Sequence, residues 1–192
     1  MPIPRVLGVL ISGRGSNLKA IIGAIADGRL NVRIAVVISN RAGAPGLEHA
    51  REAGIEALVL NHLDHLTREA YDMTLVKALR DRGVGLVCLA GFMRLLSPGF
   101  VDAFPDRIVN IHPSLLPKYP GLQPQRQALD DGATVSGATV HFVNKDLDAG
   151  RIVLQDTVPV RPGDTEHDLA DRILEVEHRL YPEAIARVLA AG

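Results

Sequence analysis

RVLGVLISGRGSNLKAIIGAIADG, residues 5–28, holds three patterns in one stretch. RVLGVLI (5–11) is a continuous apolar run, the mark of a strand buried on both faces. SGRGSNL (12–18) is a glycine-rich turn. NLKAIIGAIADG (17–28) repeats apolar residues at helical spacing and stops at Gly28, a natural C-cap. A buried strand that turns directly into a helix is the opening unit of a parallel α/β sheet.

The pattern continues outward. RIAVVIS (33–39), IEALVL (55–60), GLVCLAG (85–91) and RIVNI (107–111) read as further strands. Between them, PGLEHAREAG (45–54), TREAYDMTLVKALRDRG (67–83) and SPGFVDAF (97–104) read as helices, with Thr67 as an N-cap and Gly83 beyond the end of its helix. The second half changes character. VSGATVHFV (135–143) and GRIVLQDTVPV (150–160) are close enough to form an antiparallel hairpin. The tail 164–192 reads as one long helix, with Pro182 as the place where a break could fall. The expected fold is α/β: one domain over 1–192, a mostly parallel Rossmann-like sheet, helices on both faces, and an antiparallel C-terminal strand addition.

Composition limits the function. The chain has 192 residues, 47% hydrophobic and 22% charged, as in an ordinary folded domain. Its 21 basic and 22 acidic side chains give a net charge of −1, so no general basic field exists to hold nucleic acid. Cys88 is the only cysteine, which excludes an intrachain disulfide and a cysteine-based zinc site. The N-terminal apolar run is far short of a membrane span and lacks a signal-peptide cleavage pattern. The expectation is a cytoplasmic protein with no membrane or nucleic-acid partner and no metal.

Two strand ends carry candidate chemistry. Gly13 and Gly15 let backbone approach a ligand closely, and Ser16 and Asn17 open a helix whose dipole suits a phosphate. Leu18 replaces the third glycine of a dinucleotide fingerprint, and no Gly-Lys-Ser/Thr follows, so a small phosphate monoester fits better than NAD or ATP. The alternative is a plain tight turn. Asn110 and His112 follow the fifth strand two residues apart and so share a face. An amide donor and an imidazole there can hold an oxyanion and move a proton. PSLLPKYPGL (113–122) reads as a rigid loop framing them. Asp148, in NKDLDAG (144–150), would keep His112 protonated if the two met. His62 and His65 give a thin metal signal, and His141 reads as a satisfied sheet residue. In GFMRLLSP (91–98), Met93, Leu95 and Leu96 can line an apolar slot with Arg94 near an anion, against a background of ordinary packing.

LISGRGSNL, AGFMRLLSP, NIHPSLLPKYPGL and GATVHFVNKDLDAGRIVLQ together resemble the folate-dependent glycinamide ribonucleotide formyltransferase family, over nearly the whole chain. The resemblance implies that Asn110, His112 and Asp148 are catalytic, and that Gly15, Ser16 and Asn17 hold the ribonucleotide phosphate. It implies that Pro113 and Glu177 contact the ribonucleotide. It further implies that Arg68, Met93, Arg94, Leu95 and Leu96 lie along the folate, with Asn144, Lys145, Asp146 and Leu147 in the loop that closes on the pteridine. One departure stands out: Gln123 and Gln125 occupy positions where histidine is common in bacterial members. The implied reaction moves the formyl group of 10-formyltetrahydrofolate, as cosubstrate, to the amine of glycinamide ribonucleotide in purine synthesis, in a monomer or homodimer. The rivals are hydrolysis of the same folate and a non-catalytic phosphate- or nucleotide-binding module. Read as a whole protein, the length leaves no residues for the extra domains of a deformylase or a tRNA formyltransferase.

Overall fold

The structure is a computed structural model and describes residues 2–192. Seven strands form one sheet: β1 (Val6–Ile11), β2 (Arg33–Ser39), β3 (Ala57–Val59), β4 (Leu86–Leu89), β5 (Ile108–His112), β6 (Val135–Phe142) and β7 (Ile152–Pro159). Their order is β3-β2-β1-β4-β5-β6-β7. The first five pair in parallel, and β6 and β7 add on antiparallel beyond β5. The helices are α1 (Ser16–Ala26), α2 (Gly46–Glu52), α3 (Arg68–Arg80), α4 (Pro98–Ala103), α5 (Pro124–Asp130) and α6 (Glu166–Ala191). No helix among residues 2–192 is long and apolar enough to cross a membrane.

The order reverses between β1 and β4, so the carboxyl ends of β1, β2 and β4 open a crevice of the kind in which α/β sheets bind ligands. Local signals set several element ends. Thr67 caps α3 by accepting from the Ala70 N–H, and Ser97 caps α4 by accepting from Phe100. Thr165 and Asp168 form a reciprocal capping box at the start of α6.

The sheet divides the core in two. On one side, α1, α2, α5 and α6 bury residues such as Leu18, Leu47, Ala128 and Ile185 against Val9, Cys88, Val109 and Val140. On the other, α3 and α4 bury Tyr71, Leu75 and Phe100 against Leu10, Val36, Val87 and Ile108. The second layer ends at β5. The expectation of helices on both faces therefore holds only over the parallel part. Over β6 and β7 that face carries a loop instead, with Leu115 so close to Gly137 that a β-carbon there would meet its Cδ2 at 2.8 Å.

Helix α6 runs unbroken through Pro182, where the sequence left room for a break. Tyr181 and Pro182 are both buried, and the Tyr181 hydroxyl faces the carbonyls of Leu89 (2.8 Å) and Val109 (3.1 Å). Packing against two central strands outweighs the loss of one helical N–H. Helix α5 is absent from the sequence reading. It starts with Pro124 and is preceded by Gln123 at φ 55°, and QPQRQALD shows no apolar repeat.

Candidate active site

Alternation along β5 fixes what faces where. Val109 and Ile111 enter the α6 side of the core, so Asn110 and His112 project from the other face. The antiparallel register sets His141 of β6 opposite Asn110, and Thr139 opposite His112. Gln155 of β7 lies opposite Thr139. Five polar side chains thus share the stretch of sheet that no helix covers.

His112 is 6% exposed. Its Nε2 lies 2.9 Å from the Tyr119 carbonyl, and its Nδ1 lies 3.5 Å from Asp148 Oδ2. Both ring nitrogens face oxygen acceptors, an arrangement that a doubly protonated ring satisfies. The Asp148 separation is that of an ion pair rather than a tight hydrogen bond. The same Oδ2 accepts the Gly121 N–H at 2.9 Å, and Oδ1 lies 3.6 Å from His141 Nε2. Burial raises the Asp148 carboxyl, but His141, the Gly121 N–H and the charge of His112 outweigh it and hold the group below the usual range. Asp148 and Tyr119, the two residues that hold His112, both sit at positive φ (50° and 55°). Left-handed backbone at non-glycine residues costs about 1–3 kcal/mol each and gathers at functional sites.

The loop from 113 to 123 is fastened from below. Thr139 Oγ1 donates to the Ser114 carbonyl at 2.7 Å and accepts the Leu116 N–H at 3.1 Å. Gln155 Nε2 donates to the Leu116 carbonyl at 2.8 Å. From above, Gln127 Nε2 donates to the carbonyls of Pro120 and Leu122, and the Tyr119 hydroxyl donates to Asp131. This loop is what places the Tyr119 carbonyl on His112.

A second cluster lies at the end of β1. Gly15 has φ 70° and precedes α1, whose N-terminus no side chain caps. Its backbone touches α2: a β-carbon on Gly15 would meet Gly46 Cα at 2.7 Å. The N–H groups of Ser16 and Asn17 thus begin a helix at an open end. Ser16, Lys19, Arg29 and His178 line a cavity of about 330 Å³ next to it, which puts positive charge nearby. Glu177 of α6 is 6% exposed, and burial pushes it up to about 7, offset in part by Asn17 beside it.

Glu177 makes stability depend on pH. A carboxyl raised from 4.5 to about 7 in the folded state resists ionisation there but not in the unfolded chain. Stability should therefore fall as pH rises from about 4.5 to about 7 and then level, by roughly 3 kcal/mol at most. Glu177→Gln should match the wild type at pH 4 and melt at a higher temperature at pH 8. Parallel melting curves across that range would refute the assignment.

The segment after β4 is held at three points. Ser12 Oγ accepts the Met93 N–H (2.9 Å) and donates to Asn40 (2.6 Å), and Asp72 accepts the Ser97 N–H (2.5 Å). The Arg94 guanidinium stacks over Tyr71, 5.3 Å from the ring centre. Met93 and Leu95 are 68% and 58% exposed, whereas Leu96 packs toward the α3 side of the core. Arg68 stands exposed one helical turn before Tyr71, paired with Glu69. In the loop beyond β6, Asn144 accepts from the Asp146 N–H, Lys145 pairs with Asp102, and Leu147 is exposed. Pro113 follows His112 directly and is partly buried.

The structure brings Asn110, His112 and Asp148 together and adds His141, which sequence reasoning placed in the fold rather than the site. Only the strand register reveals it. His62 and His65 hydrogen-bond to Asn40 and Thr74, and among the described residues no group of three or more His, Cys, Asp or Glu side chains is arranged so that it could hold a metal ion.

Fold and site define an α/β domain in which an amide, an imidazole and a carboxylate meet at the carboxyl end of a central strand. The chain belongs to the formyl transferase family, which it matches over residues 5–185. It is 49% identical over 178 residues to the phosphoribosylglycinamide formyltransferase of Escherichia coli (strain K12), covering 93% of this chain and 84% of that protein. It is 51% identical over 188 residues to the trifunctional purine biosynthetic protein adenosine-3 of Drosophila pseudoobscura pseudoobscura. That match covers 97% of this chain but only 14% of the trifunctional protein's length. The crystal structure of glycinamide ribonucleotide transformylase 1 from Symbiobacterium toebii superposes with a TM-score of 0.93 at 55% identity, over 94% of this chain and 85% of that one.

Proposed function

We propose that the chain transfers the formyl group of 10-formyltetrahydrofolate to the amine of glycinamide ribonucleotide, a step of purine biosynthesis. The observation that carries this reading is the convergence of Asn110, His112 and Asp148 at the end of β5, on a scaffold whose relatives are named phosphoribosylglycinamide formyltransferase and glycinamide ribonucleotide transformylase.

The amine nitrogen attacks the formyl carbon, and the carbonyl electrons move to the formyl oxygen. An N–H of Asn110 donates to that oxygen as charge develops. His112, its Nδ1 facing the Asp148 carboxylate, gives a proton from Nε2 to N10 of the leaving folate and takes up in its place the proton that the amine loses. The carbon–N10 bond then breaks, giving the formylated ribonucleotide and tetrahydrofolate. No side chain acts as nucleophile, and holding both substrates in attack geometry can itself be worth roughly 7–11 kcal/mol. Ser16 and Asn17 take the phosphate and Glu177 the ribose region. Arg68, Arg94, Met93 and Leu95 border the folate, over which the 144–147 loop closes.

A spectrophotometric assay with 10-formyltetrahydrofolate tests the proposal. Folate product that appears only with glycinamide ribonucleotide supports transfer. Product without the ribonucleotide makes the chain a hydrolase, and none in either case makes it a binding module.

The phosphate loop has its own test. A methyl group at Gly46 would meet Ile11 Cδ1 at 2.8 Å, Gly15 Cα at 2.9 Å and the Gly13 carbonyl at 3.0 Å. Gly46→Ala should cost about 1–3 kcal/mol of stability in urea denaturation. It should also raise KM for the ribonucleotide and leave KM for the folate unchanged, because only the phosphate loop is displaced. Equal changes in both KM values would show that the loop does not hold the phosphate.

A further inference from the structure

We infer that His141 is a positioning residue for the transfer: its imidazole fixes which way the Asn110 side-chain amide points. The inference rests on the role proposed above for Asn110. His141 is 2% exposed, and the register of β5 with β6 sets it opposite Asn110. A bulge in the β6–β7 pairing falls between Val140 and His141.

The ring has three polar neighbours: the Phe142 carbonyl at Nδ1, and at Nε2 the Asn110 amide and, beyond hydrogen-bond distance at 3.6 Å, Asp148 Oδ1. Nδ1 lies 3.0 Å from the Phe142 carbonyl, which can only accept, so Nδ1 carries the hydrogen. In the neutral ring, Nε2 then holds a lone pair. It lies 3.3 Å from Asn110 Nδ2 and accepts one of its two N–H bonds. The other N–H remains for the formyl oxygen. Without this acceptor the amide is free to turn over, and its carbonyl oxygen would then face the developing negative charge and repel it.

The Nδ1–H form is the unusual tautomer, and this makes the inference readable without catalysis. Nitrogen-15 spectra of the full chain labelled at histidine should show His141 protonated at Nδ1 and bare at Nε2 in the neutral ring. The Asn110 side-chain N–H signals should move in His141→Leu. A His141 protonated at Nε2 would overturn the inference even if the protein is an active transferase.

Kinetics give the second arm. His141→Leu should lower kcat roughly 10- to 100-fold, less than deletion of the amide itself, with little change in either KM. His141→Gln, whose Oε1 can stand in for Nε2, should recover most of the rate and controls for misfolding. In an Asn110→Ala background, His141→Leu should have almost no further effect, because nothing remains to be oriented. Independent, multiplying effects would mean that His141 serves only the fold. A wild type that transfers no formyl group would defeat the proposed function, and the tautomer measurement would still decide the geometry.

Discussion

Asn110→Ala should lower kcat by about a hundred- to a thousandfold, the usual cost of one oxyanion donor. The substitution shortens a half-exposed side chain on a strand whose neighbours Val109 and Ile111 hold the core, so the fold should survive. KM for both substrates should change little, since the amide acts on charge that exists only in the transition state. Steady-state kinetics with each substrate varied will show this. A variant with near-wild-type turnover would remove Asn110 from the mechanism.

Asp148→Asn is the second severe change. The carboxylate faces His112 at 3.5 Å and His141 at 3.6 Å, and its neutral isostere keeps the shape and loses the charge. The carboxamide oxygen can still accept the Gly121 N–H, so the 113–123 loop stays in place. What is lost is the negative charge beside His112 and, on the proposed mechanism, the proton transfer that it supports. The expected fall in kcat is roughly 10²–10⁴-fold. The pH behaviour separates this from a structural effect. Asp148 is held below the usual carboxylate range, so it is ionised in the folded protein at every pH above about 4. Loss of wild-type rate between pH 7 and 5 therefore cannot come from Asp148. The stability that its ionised form contributes is present above the ordinary carboxylate range and is lost as pH falls through its depressed value. Asp148→Asn should flatten that acid limb of the melting profile while keeping the neutral-pH structure. A variant that retains full turnover at pH 7 would show that the carboxylate is dispensable.

The parallel half of the fold was legible because its signals are local. The apolar run at 6–11, the glycine turn and the helical spacing that follows are read within one turn of chain, as is the Thr67 cap. Pro182 left the helix open to a break because local chemistry argues for one, whereas the Tyr181 contacts that hold α6 together come from residues 72 and 92 positions away. The site was legible in part. Asn110 and His112 announce themselves by period-two spacing at a strand end. Asp148 could be named but not placed, because its approach to His112 depends on how a hairpin docks. Glu177 had no local signal beyond an acid in an amphipathic helix and came from resemblance alone. His141 is the buried, hydrogen-bonded sheet residue that its sequence suggests, and only the strand register shows that it stands opposite Asn110.

The antiparallel edge bears on how the molecule comes into being. Asn110 meets His141 across 31 residues, Gly121 meets Asp148 across 27, and Gln155 meets Leu116 across 39. The β1–α1 unit, by contrast, closes within a short span. Loop-closure entropy delays distant pairings relative to near ones. Helices close within single turns, so a refolding chain can hold much of its helix before these distant partners meet. The polar cluster proposed as the site is complete only once β6 lies on β5 and the 113–123 loop is fastened to Thr139 and Gln155. Helical circular dichroism would then run ahead of regained turnover in time.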